Sequence, residues 1–422
     1  MITLIKKYMQ DPVLFGTLAV SVGVFIGSIF SYLLQFALGR TLTVYDYGTL
    51  NALLSLANIV TVPTTVLGIA LIKIASDFKA QNAFDKATKM FWRLTAWFVI
   101  FGAVFFATFY LFRTAFANYM NIKTPDIFLY FGIFMLGSFI MVTPSSFLQG
   151  FLRFKAFAFS NVFIGFTRLA FPVLLVVMGL KLPGVFIGFA LSGLISFVVL
   201  TSFLKKNFQK SSEDINLTPY FKKVMFFSAP VLLVSLGMML MNNIDVILVK
   251  KFFDEVSAGY YASVVTVGKV LLFGAGTVSV VMFPQMSEAF SRKVHLSAAF
   301  KKFFVIQVVL VLAGVAVFSL VPHLIISTMF GDKFLGAVPY LPKFSIFMGL
   351  YVLVNFMTIF FLALEKTKVF FFQIPAIFVQ FLLLNTFNKS IDMVINVNIG
   401  VAAALLALLG LYGFITLAKE RT

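Results

Sequence analysis

Three charged residues stand where charge is costly. Arg168, in SNVFIGFTRLAFPVLL, and Lys269, in YASVVTVGKVLLFGAG, interrupt stretches that are otherwise almost wholly apolar. Each lies about twelve residues into its run, a depth of about 18 Å at the helical rise of about 1.5 Å per residue. A bilayer's hydrocarbon core is about 30 Å thick, so both cations fall near its middle, where each costs roughly 2.5–3.5 kcal/mol. The chemistry that would justify that cost is a water-filled cavity with cationic walls, built for an anionic substrate. The alternative is a buried cation held by helix carbonyls or a neighbouring carboxylate. The third residue, Asp245 in MNNIDVILVKKF, lies about 7–8 Å below the outer interface by the same rise. It could pair with Lys269 or with Arg40, or it could be the place where a coupling proton or sodium ion binds.

Amides within the apolar runs add hydrogen-bonding capacity. Asn58 is singled out because an internal repeat places it opposite Lys269, where it could bind sugar hydroxyls; bonding between helices is the alternative. The chain has no cysteine and two histidines, which excludes disulfides, thiolate metal sites and cysteine catalysis. No metal-ligand cluster, phosphate-binding loop or nucleophile–base set appears, so the expectation is a protein without resident cofactor or enzymatic site.

The elements that must carry these residues follow from composition. Of 422 residues, 61% are hydrophobic and only 11% are charged, against about 25% charged in soluble domains. Apolar runs of about 20 residues recur, each long enough to cross a bilayer as a helix. Twelve such runs are legible, from 12–38 to 393–417. With the N-terminus inside, basic residues between the runs fall more than twofold on the cytoplasmic side. That bias places both termini in the cytoplasm. The formal charge of +18 is therefore orientation charge, helped by anionic membrane lipid, and implies no nucleic-acid partner.

The longest polar break, Lys205–Lys223, separates two six-helix halves: an N-terminal lobe at 1–204, a cytoplasmic linker at 205–223 and a C-terminal lobe at 224–422. At an offset of 211 residues Arg40 falls on Lys251 and Gly48 on Gly259. Six spans separate the copies, so they run in the same direction and are related by an axis along the membrane normal. Arg40 and Lys251 then bring cations to both sides of an outer mouth, as substrate-binding candidates. Span-interrupting prolines supply bends, and Pro63 in TVPTTVLG is the hinge candidate.

The stretches Leu38-Gly39-Arg40 with Tyr45-Asp46-Tyr47-Gly48, NNIDVILVKKFFDEVSAGYYAS and MFGDKFLGAVPYL resemble the Wzx-type polysaccharide (O-antigen) flippases. That family belongs to a superfamily with multidrug-and-toxin exporters and lipid II flippases. The resemblance implies an all-α membrane protein of twelve helices in two six-helix lobes about a central cavity, rocking between inward- and outward-open states in a prokaryotic cytoplasmic membrane. It implies a polyprenyl-pyrophosphate-linked oligosaccharide as cargo, with Arg168 and Lys269 at its anionic head. Further expectations are a monomer, contacts with glycan-assembly proteins, and coupling to Na+ or H+ through Asp245. The competing readings are an ion-coupled multidrug exporter of the same fold and, in another class, a membrane-embedded glycan polymerase or glycosyltransferase.

Overall fold

The computed structural model describes residues 12–209, 231–292 and 296–419, and every regular element among them is a helix. Lys6 and Lys7, residues 210–223 of the expected linker, Pro230 and His295 lie outside the described residues. The helices are α1 (Pro12–Thr41), α2 (Val44–Val60), α3 (Val62–Ala80), α4 (Phe84–Leu111), α5 (Arg113–Tyr119), α6 (Ile127–Ile140), α7 (Val142–Gly150), α8 (Phe154–Leu175) and α9 (Lys181–Leu204). The series continues with α10 (Ile244–Phe252), α11 (Glu255–Ser291), α12 (Ser297–Leu320), α13 (Pro322–Phe330), α14 (Leu341–Ala363), α15 (Phe370–Thr386) and α16 (Ile391–Lys419).

Among the described residues ten stretches are long and apolar enough to cross a membrane, and α2 with α3, bent by 44°, makes an eleventh. One of the ten, Phe154–Asn207, holds two helices. Gly179, at φ 95°, ends the first of them in a left-handed conformation that a side chain would resist, and the chain turns back into α9. Counted separately, α8 and α9 bring the spans to twelve, and the chain is a multi-pass membrane protein.

Two compact units form: Met1–Leu42 with Pro63–Ser228, and Thr43–Val62 with Ala229–Thr422. This grouping differs from the expected lobes at Thr43–Val62, which carries α2 into the second unit. The reason is a close approach between glycines. A Cβ on Gly48 would lie 2.9 Å from the backbone nitrogen of Gly259, and one on Gly259 would run into Val44. Tyr47, fully buried, donates its hydroxyl to Thr266 at 2.9 Å.

The repeat offset of 211 residues is visible in helix ends. α2 begins at Val44 and α11 at Glu255; α1 ends at Thr41 and α10 at Phe252; α3 ends at Ala80 and α11 at Ser291. The residues before α2 and α11, Thr43 and Asp254, both cap with side-chain oxygens, accepting from Asp46 N and from Val256 N and Ser257 N. The copies differ in one respect. The first is broken at Thr61, two residues before Pro63, whereas α11 runs unbroken for 37 residues.

Within the first unit α8 is clamped from two sides. A Cβ on Gly165 would lie 2.8 Å from the Cα of Gly27 on α1, and one on Gly188 of α9 would overlap Pro172. Small residues let helices meet closely in a membrane, and here they fix the helix that carries Arg168.

Candidate functional site

Arg168 projects from α8 with an exposed side chain and lines a cavity of about 160 Å³ shared by α6, α7, α8 and α9. The polar wall is Ser138, Ser145, Ser192 and Ser196. The guanidinium carbon lies 5.8 Å from the centre of the Phe189 ring, a cation–π distance. Among the described residues Arg168 forms no ion pair and no hydrogen bond to a side chain or carbonyl, so all five of its N–H donors are uncommitted.

The second unit handles charge differently. The span Val231–Phe252 is interrupted at Asn242 and Asn243, where the helix gives way to a turn. Asn243 Oδ1 accepts from Lys269 Nζ at 3.3 Å and from Asn58 Nδ2 at 3.1 Å, while its own amide donates to Met239 O at 2.9 Å. Asn58 and Lys269 are repeat mates, and the structure brings them onto one acceptor. Irregular backbone at membrane depth is tolerated where it is buried in protein or lines a cavity.

Two residues beyond Asn243, Asp245 opens α10 and is 1% exposed. Its carboxylate accepts from the Tyr261 hydroxyl, from Asn398 Nδ2 at 3.0 Å and from Val246 N at 2.9 Å. Asn398 Oδ1 accepts from Gln380 Nε2 at 2.9 Å, which extends the network across α10, α11, α15 and α16. Of the partners open to Asp245 in the sequence, Lys269 does not form an ion pair with it among the described residues. Tyr261, two turns before Lys269 on α11, takes the carboxylate, and Lys269 turns to Asn243. The first-turn position of Asp245 also meets the positive end of the α10 dipole.

The remaining candidates are peripheral to these clusters. Arg40, exposed in the last turn of α1, lies 5.1 Å from the Phe36 ring. Lys251, in the last turn of α10, lies 4.7 Å from the Phe252 ring. Both cations sit at helix C-termini, where the dipole favours them. Pro63 is in the first turn of α3, at the 44° bend and at the point where the chain passes between compact units. Outside the spans, hydrogen bonds from Ser257 hold the Asp254 carboxyl below the usual carboxylate range. No group of three acids or histidines able to hold a metal occurs among the described residues.

The pocket serines, Tyr261 and Asn398 were missed in the sequence. The i, i+4 spacing in LSGLIS, Ser192 with Ser196, was the available signal for a hydroxyl face on α9. Asn398, in INVNIG, carried the same signal as the other intramembrane amides.

The sequence pattern of a family described as polysaccharide biosynthesis protein matches residues 13–290. No curated protein matches the chain. Among solved structures, an inward-facing MATE-family multidrug resistance transporter of the MOP superfamily aligns with a TM-score of 0.75 at 12% identity, covering 95% of this chain and 99% of that one. The lipid II flippase MurJ aligns at 0.72 and 13% identity, covering 94% and 87%. A MOP-superfamily transporter of Pyrococcus furiosus, reported for the reverse polarity of its binding pocket, aligns at 0.64 and 14% identity over 98% of each chain. At such identities the likeness establishes the shared fold.

Proposed function

Because the chain belongs to the polysaccharide biosynthesis protein family, we propose that it flips a polyprenyl-pyrophosphate-linked oligosaccharide from the inner to the outer leaflet of a prokaryotic cytoplasmic membrane. The observation that carries the reading is Arg168: an intramembrane guanidinium with no anionic partner among the described residues, opening on a hydroxyl-lined cavity. Pyrophosphate is the part of such a cargo hardest to move through hydrocarbon, and an uncommitted guanidinium is suited to it by charge and by its forked donors. Within the other unit Asn58 and Lys269, joined on Asn243, form a separate cationic, amide-bearing cluster. Arg40 and Lys251 add positive charge at their helix ends, and the bend before Pro63 is the hinge of the rocking motion.

Asp245 is the coupling residue of this reading. Its buried carboxylate is held by neutral donors rather than by a cation. Exchange of a proton or sodium ion there would change the charge of the network without breaking an ion pair. The buried Gln380 Oε1, which no donor among the described residues reaches, is a further oxygen in that network. An exporter of organic cations is disfavoured by the positive charge of Arg168. The test is transport of lipid-linked oligosaccharide in proteoliposomes, where Arg168→Ala is expected to abolish leaflet exchange at normal protein levels. Full exchange by that variant would overturn the reading.

A further inference from the structure

The hydroxyls around Arg168 are not interchangeable, and their proton accounting says what the cavity accepts. Thr167 spends its only hydroxyl proton on the carbonyl of Phe163, at 2.9 Å, so at its 2.7 Å contact with Ser192 the serine is the donor. Ser138 spends its proton on Phe134 O at 3.1 Å. Ser138 and Ser192 therefore face the cavity with lone pairs only. Ser196 is 3.5 Å from Thr167, a long contact, and Ser145 makes no side-chain hydrogen bond among the described residues. These two hydroxyls keep a proton to give. Each serine hydroxyl holds one proton and two lone pairs, so the wall combines a cation, two acceptors and two hydroxyls able to act either way.

A bare phosphate or pyrophosphate offers acceptors and would leave the lone pairs of Ser138 and Ser192 without donors. A neutral sugar would fill them but leave the guanidinium without an anion. A buried polar group that loses its partner on binding carries a desolvation penalty. The ligand that satisfies both halves bears an anionic oxygen next to hydroxyl donors. Size agrees: about 160 Å³ is close to the roughly 150 Å³ of a cavity that takes one benzene ring, room for one ring or one anionic group and not for an oligosaccharide. Ser192 and Ser196 are buried at 1% and 0% exposure while Arg168 is exposed, so the hydroxyls form the closed side and the cation the open one.

The geometry points to this cavity as a subsite for a single hydroxylated anion, a sugar residue with its adjacent phosphate or carboxylate, read jointly by Arg168 and the serines. The inference rests on the proposed function for the identity of the cargo and deepens it. The cavity selects a charged sugar unit rather than a bare pyrophosphate. Two sources supply that chemistry: the sugar attached to the carrier pyrophosphate, and an acidic sugar within the glycan.

The test is binding to the purified full-length protein in lipid nanodiscs, with glucose 1-phosphate, glucuronate, methyl glucoside and inorganic pyrophosphate as probes. At least one of the two hydroxylated anions is expected to bind about tenfold or more tightly than methyl glucoside and than pyrophosphate. Ser192→Ala and Ser138→Ala should each weaken that binding about threefold to tenfold, as loss of one hydrogen bond does, and leave pyrophosphate unchanged. Arg168→Gln should remove binding of all the anions. Ser138→Ala, at a half-buried hydroxyl whose proton is committed to Phe134 O, carries the reading should Ser192→Ala fail to fold. Preference for glucose 1-phosphate assigns the sugar at the pyrophosphate; preference for glucuronate assigns an acidic sugar in the glycan. Pyrophosphate binding as tightly as either, or serine variants that leave the preference intact, would overturn the inference. Intact binding together with absent leaflet exchange would instead overturn the function and leave the subsite standing.

Discussion

The two units place charge at membrane depth in opposite ways. In the first, Arg168 lies over a phenylalanine ring, shares a cavity with four serines and has no anionic partner among the described residues. In the second, Lys269, Asn58 and Asn243 share one hydrogen-bonded centre, and Asp245 is surrounded by Tyr261, Asn398 and a backbone amide. A cation within a bilayer costs several kcal/mol wherever it sits. The second unit offsets that cost with partners of its own, whereas the first leaves it to water and to a ligand. An open cation is a binding group, and a closed network is one whose state can be switched. Under the proposed function, the open cation is assigned to cargo recognition and the closed network to coupling.

The largest effect expected is at the open site. Arg168→Ala should bring leaflet exchange in proteoliposomes down to background, with an unchanged thermal unfolding midpoint. A matching fall in the midpoint would make Arg168 structural and erase the contrast. The closed site should respond in stability first. Asp245→Ala leaves the Tyr261 hydroxyl without its acceptor and the Asn398 amide with only the Tyr261 oxygen at 3.2 Å, and should destabilise the protein by about 1–3 kcal/mol. Asp245→Asn keeps the shape, so its main effect should be loss of the ion dependence of transport; an unaltered ion dependence would confine Asp245 to structure.

The shared acceptor offers a finer division. Lys269→Met and Asn58→Leu both remove a donor from Asn243 Oδ1, so in a double-mutant cycle on stability they should be non-additive by about 0.5 kcal/mol or more. Additive effects would mean that the two donors do not share their acceptor. The smallest effect belongs to the repeat's caps. Asp254→Ala should cost about 0.5–2 kcal/mol, and Asp254→Asn much less. Because the Asp254 carboxyl is held below its usual range, its contribution is present above the ordinary carboxylate pKa. It is lost as pH falls through the lower folded value, and acid unfolding curves of wild type and Asp254→Asn should converge at low pH. Curves that stay apart there would assign the cap's effect to something other than its charge.

Much of this contrast was legible before any coordinates. The cost of Arg168 and Lys269 in apolar runs marked both, and the 211-residue offset paired Asn58 with Lys269, which meet on Asn243. The same offset recovers the starts of α2 and α11. The network around Asp245 was not legible, because Tyr261 is local but Asn398 comes from 153 residues away. No periodicity in one segment specifies a contact made by helices brought together in three dimensions. The pocket serines were hidden for another reason. In a membrane helix a serine reads first as a small packing residue, and only the meeting of α6, α7, α8 and α9 gives Ser138, Ser145, Ser192 and Ser196 a common cavity with Arg168. The assignment of Thr43–Val62 to the second unit likewise depends on the close meeting of Gly48 and Gly259.

The measurement closest to the central claim is leaflet exchange of a polyprenyl-pyrophosphate-linked oligosaccharide in proteoliposomes, comparing wild type, Arg168→Lys and Arg168→Ala at matched protein and matched thermal stability. The account predicts exchange by the wild type, partial exchange by Arg168→Lys, which keeps the charge without the fork, and none above background by Arg168→Ala. Equal exchange by all three would contradict it.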